Sequence, residues 1–530
     1  MAKIDEYIQK FESGRISRRG FIKTLMALGL SVPAINMILA VSGPVAHAAK
    51  PKKGGRFRLG VGQGATTDSL DPGALPSTAP QIVHLQVRNC LTELNYKYNP
   101  IPELAESWEP SADASKWTFK LRKGVEFHNG KTLDAEDVVF SINYHRGEDS
   151  KSSGKSLVTA VKDVKADGKH TVVFTLEGGN ADFPFIMSDY HLGIFPAGTK
   201  DFEKGIGTGA FKLVSWEPGV RALTKRNPNY WKEGRGHFDE VETIYINDVS
   251  ARINALKTGQ IDAMNRCERK TFHLLEKISG IKAINLTGTT HYTIPMLSDV
   301  PPYDNNDVRL ALKLTVDREQ LVKQILRGYG AVGNDHPIAP SQRFYASELP
   351  QRKYDPDKAR YHMKKAGKLN HTFKLHVSDA AFAGAVDTAV LIKESATKAG
   401  IKIDVVREPQ DGYWSNVWMK KGWTFSFWGG RPSEDWMFSI GYAEGSNWNE
   451  GHLKHKRFNE LLKAARAELD NAKRREMYVE MQRIVRDEGG SIIPMFANLL
   501  MATSTKVGFE NVAANFDLDG LRTPERWWFI

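Results

Sequence analysis

From Arg56 onward the chain trades strand-like and helix-like segments, over and over, and this alternation limits the folds open to it more than any other feature. Arg56-Phe57-Arg58-Leu59-Gly60-Val61 alternates polar and apolar residues, as a half-buried strand does. Residues 81–94 return to helical spacing, with Ile82, Leu85, Cys90 and Leu94 able to share a face. The same exchange recurs later: strands are expected at Val172-Val173-Phe174-Thr175-Leu176, Phe373-Lys374-Leu375-His376-Val377 and Ile401-Lys402-Ile403-Asp404-Val405. Helices are expected at 307–326, 358–366, 387–399, 458–469 and 472–486. Strands interleaved with helices predict α/β layers with parallel or mixed sheets.

The most densely patterned block is 104–146. Trp117-Thr118-Phe119-Lys120-Leu121-Arg122 reads as a strand, and Phe127-His128-Asn129-Gly130 as a turn. Thr132-Leu133-Asp134-Ala135-Glu136-Asp137 reads as a helix start, with acids in the first turn to match the dipole. Val138, Val139 and Ile142 supply the buried face.

Ahead of this lies a different kind of segment. Ser17-Arg18-Arg19-Gly20-Phe21-Ile22-Lys23 is similar to a twin-arginine export signal, with Arg18, Arg19 and Phe21 as its defining residues. The following run is broken by Gly29, Pro33 and Pro44, too mildly apolar for a membrane span, and it ends in Ala46-His47-Ala48, a small-x-small cleavage signal. The reading is a signal peptide over 1–48, passage through the twin-arginine translocase, and a soluble periplasmic protein. No cysteine follows the run, so no lipid anchor is expected.

The 530 residues are 41% hydrophobic and 25% charged, which is ordinary for globular domains. The net charge of +11 could suit nucleic acid, but the basic residues are dispersed and mixed with acids, and no nucleic-acid-binding pattern is present. The two cysteines, Cys90 and Cys267, lie far apart and read as buried free thiols. His452 and His455 read as a solvated face, and neither metal-ligand spacing nor a phosphate loop or nucleophile elbow occurs. No cofactor is expected, and nothing places two acids in a catalytic arrangement, so an enzyme is the weaker reading.

Several segments, taken in order, resemble the solute-binding proteins of peptide-type ABC importers (family 5, the dipeptide, oligopeptide, nickel and opine binders). They include Leu104-Ala105-Glu106-Ser107-Trp108, the run from Trp117 to Gly130, Ala135-Glu136-Asp137-Val138-Val139-Phe140 and Gly207-Thr208-Gly209-Ala210-Phe211-Lys212. Asn227-Pro228-Asn229-Tyr230-Trp231, Ala255-Leu256-Lys257-Thr258-Gly259-Gln260-Ile261-Asp262 and Asp307-Val308-Arg309-Leu310-Ala311-Leu312 continue the series. Tyr354-Asp355-Pro356-Asp357-Lys358-Ala359 and Ala399-Gly400-Ile401-Lys402-Ile403 complete it. The resemblance implies an α/β type II periplasmic-binding-protein fold with three lobes, a hinge and a central cleft. Lobe I would be discontinuous (49–93, 206–290 and 494–530), lobe II would be 94–205 and lobe III 291–493. It also implies a small-molecule or peptide ligand caught by hinge closure, ABC permease subunits as partners, no nucleic acid and a monomer. A metal- or haem-carrying member of the same fold is the alternative.

For the ligand the richest segments are Tyr413-Trp414-Ser415-Asn416-Val417-Trp418 and Phe425-Ser426-Phe427-Trp428-Gly429-Gly430-Arg431-Pro432-Ser433-Glu434-Asp435-Trp436. A cleft needs aromatic walls and a few placed charges. In the peptide binders, the strand matching Phe425 to Trp428 leads to an aspartate that pairs with the peptide's amino terminus. Aligned on Trp428, that position holds Arg431, which would clamp a carboxylate instead. With a small gap the match returns to Glu434 or Asp435. The expected ligand-binding residues are Arg431, Trp428, Asp435, Trp414, Tyr292 and Trp448. Phe425 and Phe427 fit a core strand equally well, and His291, Asn449, Cys267 and Arg269 are weaker candidates.

Overall fold

The computed structural model describes Thr24 and residues 51–530, apart from Pro432. The expected export residues Arg18, Arg19 and Phe21 and the cleavage residues Ala46 and Ala48 lie outside the described residues.

Three large sheets organise the hydrophobic cores. The largest sheet has seven strands in the order Ile281–Leu286, Leu499–Ser504, Ala263–Met264, Arg56–Val61, Glu240–Tyr245, Arg221–Arg226, Phe211–Glu217. It is mixed: Arg56–Val61 runs parallel to both of its neighbours, while the other pairings are antiparallel. Phe57, Leu59 and Val61 are all fully buried. We call this sheet and its cores the first body.

A second body is built on four antiparallel strands in the order Ala105–Pro110, Lys116–Leu121, Thr171–Leu176, Val161–Ala166. Helix Ala135–Tyr144 packs on it and begins as its sequence predicts. Asp134 is the N-cap, accepting from Glu136 N and Asp137 N, while the Asp137 side chain accepts from Asp134 N. This reciprocal capping satisfies donors that the first turn leaves unpaired.

The third body holds another four-stranded antiparallel sheet, Gly330–Val332, Ser491–Ala497, His291–Pro295, Ser426–Trp428. Beside it, Thr372–Val377 and Lys402–Arg407 pair in parallel, joined by helix Ala385–Thr397. Apolar side chains cover both faces of the larger sheet, with Tyr292, Phe382 and Phe425 in one cluster and Trp428, Met437 and Phe438 in another.

Two elements depart from expectation. The helix expected over 81–94 is Thr78–Val87, and Thr92–Leu94 instead pairs with Pro100–Pro102. The long helix expected over 307–326 is two, Asn306–Leu314 and Arg318–Gln324. Asp317 causes the second start, because its carboxylate accepts from Gln320 N at 3.0 Å and caps a new first turn.

A buried ionic cluster ties the second body and the end of the chain to the first. Arg522 Nη1 and Nη2 meet the two oxygens of Glu103 at 2.6 and 2.9 Å, and Lys232 pairs with Glu93 and Glu525. Removing one partner from such a buried pair costs about 3–5 kcal/mol.

Candidate ligand-binding cleft

The chain passes between the first and third bodies twice, on neighbouring strands. Going out, Ile281–Leu286 leads through residues 287–290 to His291–Pro295. Coming back, Ser491–Ala497 reaches Leu499–Ser504 through the single residue Asn498. The crossings are bonded side by side: Ala497 N donates to Thr290 O at 2.8 Å, and Asn498 Nδ2 donates to Asn285 Oδ1 at 2.7 Å.

An open cavity of about 660 Å³ lies against these crossings. Arg266, Cys267, Glu268, Arg269 and Asp517 line it from the first body, and Ala383, Phe427 and Gly429 from the third. Thr289, Thr290 and Asn498 form part of the wall at the crossings, and Tyr190 reaches in from the second body. Arg266 Nε bonds the Asp517 carboxylate at 2.8 Å, so that pair is internally neutral. Arg269 is half-buried, pairs with no carboxylate among the described residues, and leaves its Nε without a hydrogen-bond partner. Cys267 and Arg269, two of the weaker candidates, line the cavity just beyond strand Ala263–Met264. Cys267 and Cys90 are free and buried, and burial pushes the Cys267 thiol up to about 12.

The aromatic wall differs from expectation by one residue. Trp428 is buried, 4% exposed, and donates from Nε1 to Glu450 at 3.1 Å. Phe427, 44% exposed, is the ring that meets the cavity. The physical reason is that the third sheet is covered on both faces. Trp428 points into one of the two cores, while Phe427 lies past the edge of the other and remains open. Tyr292, opposite Phe427 in register, is buried too and stacks on Phe382 with centroids 3.9 Å apart. Trp414 and Trp448, 40% and 45% exposed, extend an edge-to-face series outside the cavity. Trp414 meets Phe427 at 6.0 Å, and Trp448 meets Trp428 at 5.9 Å. Of the six expected ligand residues, none lines the cavity directly in this conformation.

Arg431 stands just behind it. Its guanidinium lies 5.4 Å from the Trp428 ring centre and 5.6 Å from that of Trp436, and Nη1 donates to Gly430 O at 2.7 Å. No carboxylate pairs with it among the described residues. Burial lowers its pKa, a shift opposed by its interaction with Tyr190, a residue of the cavity wall. Gly430 has φ +80°, and a Cβ there would fall 2.1 Å from Thr289 Oγ1, so glycine is required for the loop to lie against the crossing strand. A Cβ on Gly429 would meet nothing within 4 Å, and its backbone stays open to the cavity.

The acids of the same segment turn elsewhere. Asp435 pairs with Arg466 at 3.1 Å, and Glu434 with Arg343 at 3.2 Å. Burial raises Asp435 to about 6 against the pull of Arg466. The realignment that would put Glu434 or Asp435 in the ammonium-binding place thus meets acids already committed to guanidiniums.

The residues offer little to a metal. Glu93, Glu103 and Glu525 converge, but Lys232 and Arg522 already occupy the space among them. No histidine lines the cavity among the described residues. Sequence reasoning missed Tyr190, Arg266, Phe427 and Asp517 as wall residues. Only Phe427 carried a signal, as an aromatic next to a glycine pair, and it was assigned equally to the core.

Two bodies joined by paired crossing strands, with a cavity beside the joint, define a cleft-type ligand-binding protein. Residues 99–450 match the family model for bacterial extracellular solute-binding proteins, family 5 (middle region), and the chain belongs to that family, with its α/β type II binding-protein fold. The dipeptide-binding protein of Escherichia coli (strain K12) is 28% identical over 440 residues, covering 74% of this chain and 80% of the relative. The structure of HbpA2 from Haemophilus parasuis superposes with a TM-score of 0.79 at 21% identity, covering 88% of this chain and 99% of that one. AgaA from A. tumefaciens R10, solved with agropinic acid, gives 0.70 at 23% identity over 90% and 99%. No helix among the described residues is long and apolar enough to cross a membrane.

Proposed function

We propose that this protein is the periplasmic binding component of an ABC importer, and that it captures a small, carboxylate-bearing organic solute, peptide-like or opine-like, without catalysing its conversion. The observation that carries the ligand class is the state of the arginines. Arg269 on the wall and Arg431 behind Tyr190 are both without carboxylate partners among the described residues, while every nearby acid of the 431–436 segment is engaged. A guanidinium held partly out of water and unpaired is a ready anion site. Arg431 acts by swinging off Trp428 toward the cavity, and Phe427 supplies the aromatic wall. The lobes we assign are 49–93, 206–290 and the chain from Asn498 onward for lobe I, 94–205 for lobe II and 291–497 for lobe III, with lobes I and III closing about the two crossings. The expected boundary at 493/494 moves to the end of strand Ser491–Ala497 because that whole strand pairs within the third sheet.

The test is calorimetric titration of the mature protein with the compound that co-purifies with it, identified by mass spectrometry. Arg269→Gln and Arg431→Ala should each weaken binding by well over tenfold, since stripping one partner from a dry charged contact costs about 2–5 kcal/mol. Wild-type affinity in both variants, or a co-purified ligand with no carboxylate, would sink the reading.

Export is proposed to use Arg18 and Arg19, with the mature chain starting at Ala49. Replacing both arginines by lysine should leave precursor in the cytoplasm, and normal export of that variant would refute the twin-arginine route.

A further inference from the structure

The second body touches the third at a place unrelated to the crossing strands, and the contact is ionic and buried. Asp182, 2% exposed, belongs to the second body. Its Oδ1 lies 2.9 Å from Arg343 Nη2 and its Oδ2 2.7 Å from Arg474 Nη2, both in the third body. Next to it, Ala181 N donates to Arg466 O at 2.7 Å, and the Arg343 guanidinium sits 5.1 Å from the Phe185 ring centre. Arg343 has a second carboxylate, Glu434, within its own body, whereas Asp182 is the carboxylate that Arg474 pairs with.

The placement gives the contact a consequence. Two chain crossings, through residues 287–290 and Asn498, are the covalent links between the third body and the rest. The second body is fastened to the first by the Glu103–Arg522 and Glu103–Lys232 pairs, so the two move as one. Any motion that opens the cleft by rotating the third body about the crossings has to separate Asp182 from Arg343 and Arg474.

We infer that Asp182, Arg343 and Arg474 form a latch between the second and third bodies, which holds lobe III against lobe II and sets the fraction of closed protein before ligand arrives. The inference rests on the hinge reading above, but its test uses no ligand. In the closed state Asp182 and Glu434 together balance the two guanidiniums out of water; in the open state water solvates Asp182 and Arg474. Replacing Asp182 by asparagine leaves two guanidiniums facing an uncharged amide in the closed state, and costs little in the open one. A shape-conserving change therefore acts on the closed–open balance and spares the fold of either body. Ligand affinity is then scaled by the closed-competent fraction, so residues that never touch ligand tune it.

The experiment is small-angle scattering and hydrogen–deuterium exchange on the ligand-free mature protein. Asp182→Asn should enlarge the radius of gyration and speed exchange in the segment around Ala181 by about tenfold or more. Exchange in Lys116–Leu121 and Thr171–Leu176, the central strands of the second sheet, should stay at the wild-type rate. Arg474→Gln, made from the opposite side, should produce the same opening, and it keeps the test decisive if Asp182→Asn loosens the second body itself. Wild-type scattering and wild-type exchange around Ala181 in both variants would overturn the latch, whatever ligand does to the native protein.

Discussion

Single buried side chains set how this protein responds to acid. Burial lowers the pKa of His128, His145 and His291 to about 4 and of His336 to about 3. In the unfolded chain these imidazoles take up a proton near 6.5. Stability from keeping them neutral is therefore complete above about 6.5 and is lost as the pH falls toward 4, by roughly 1.4 kcal/mol per pH unit for each group. The thermal midpoint should drop steadily between about pH 6.5 and 4.5, and His336→Leu should flatten that slope, as followed by calorimetric melting. A slope unchanged by the substitution would mean that His336 is not held neutral by the fold. The same scale shows where sequence reading stopped. Arg431 could be singled out because its charge is opposite to that expected at its position. Its retreat onto Trp428 and Trp436 could not, because a rotamer depends on neighbours distant in sequence.

At the level of elements, local signals were read well and tertiary ones poorly. Asp134 and Asp470 both cap helices at the places their sequences suggest, since a cap is a bond between residues two or three apart. The exchange of roles between Phe427 and Trp428 was not legible. Period-two alternation tells which residues share a face, but not which face is covered by what, and here helices on both sides of the sheet leave neither face free. The helix expected over 307–326 divides for a related reason: its apolar spacing continues across the break, while the second start depends on the cap that Asp317 makes. The family likeness implied the three-lobed α/β fold but not the seven-stranded sheet, whose strand order draws on segments far apart in the chain.

For the molecule as a whole, the central claim is motion about two short crossings. Ligand should bring the first and third bodies together, because closure surrounds a polar solute with fixed dipoles and excludes water. Scattering from the mature protein at saturation with its co-purified ligand should give a smaller radius of gyration than the ligand-free protein, and identical profiles would rule out hinge closure. The crossings have a further effect, on how the molecule is made. Leu499–Ser504 fills the gap between Ile281–Leu286 and Ala263–Met264, so the first sheet receives an inner strand from a segment far later in the chain than either neighbour. Until then Ile281–Leu286, paired with that strand alone in the sheet, has bare hydrogen-bonding edges of the kind that recruit other chains. Translation that stalls before residue 499 leaves a product that cannot complete its main sheet, and the nascent protein is accordingly exposed to aggregation and proteolysis until that strand has emerged.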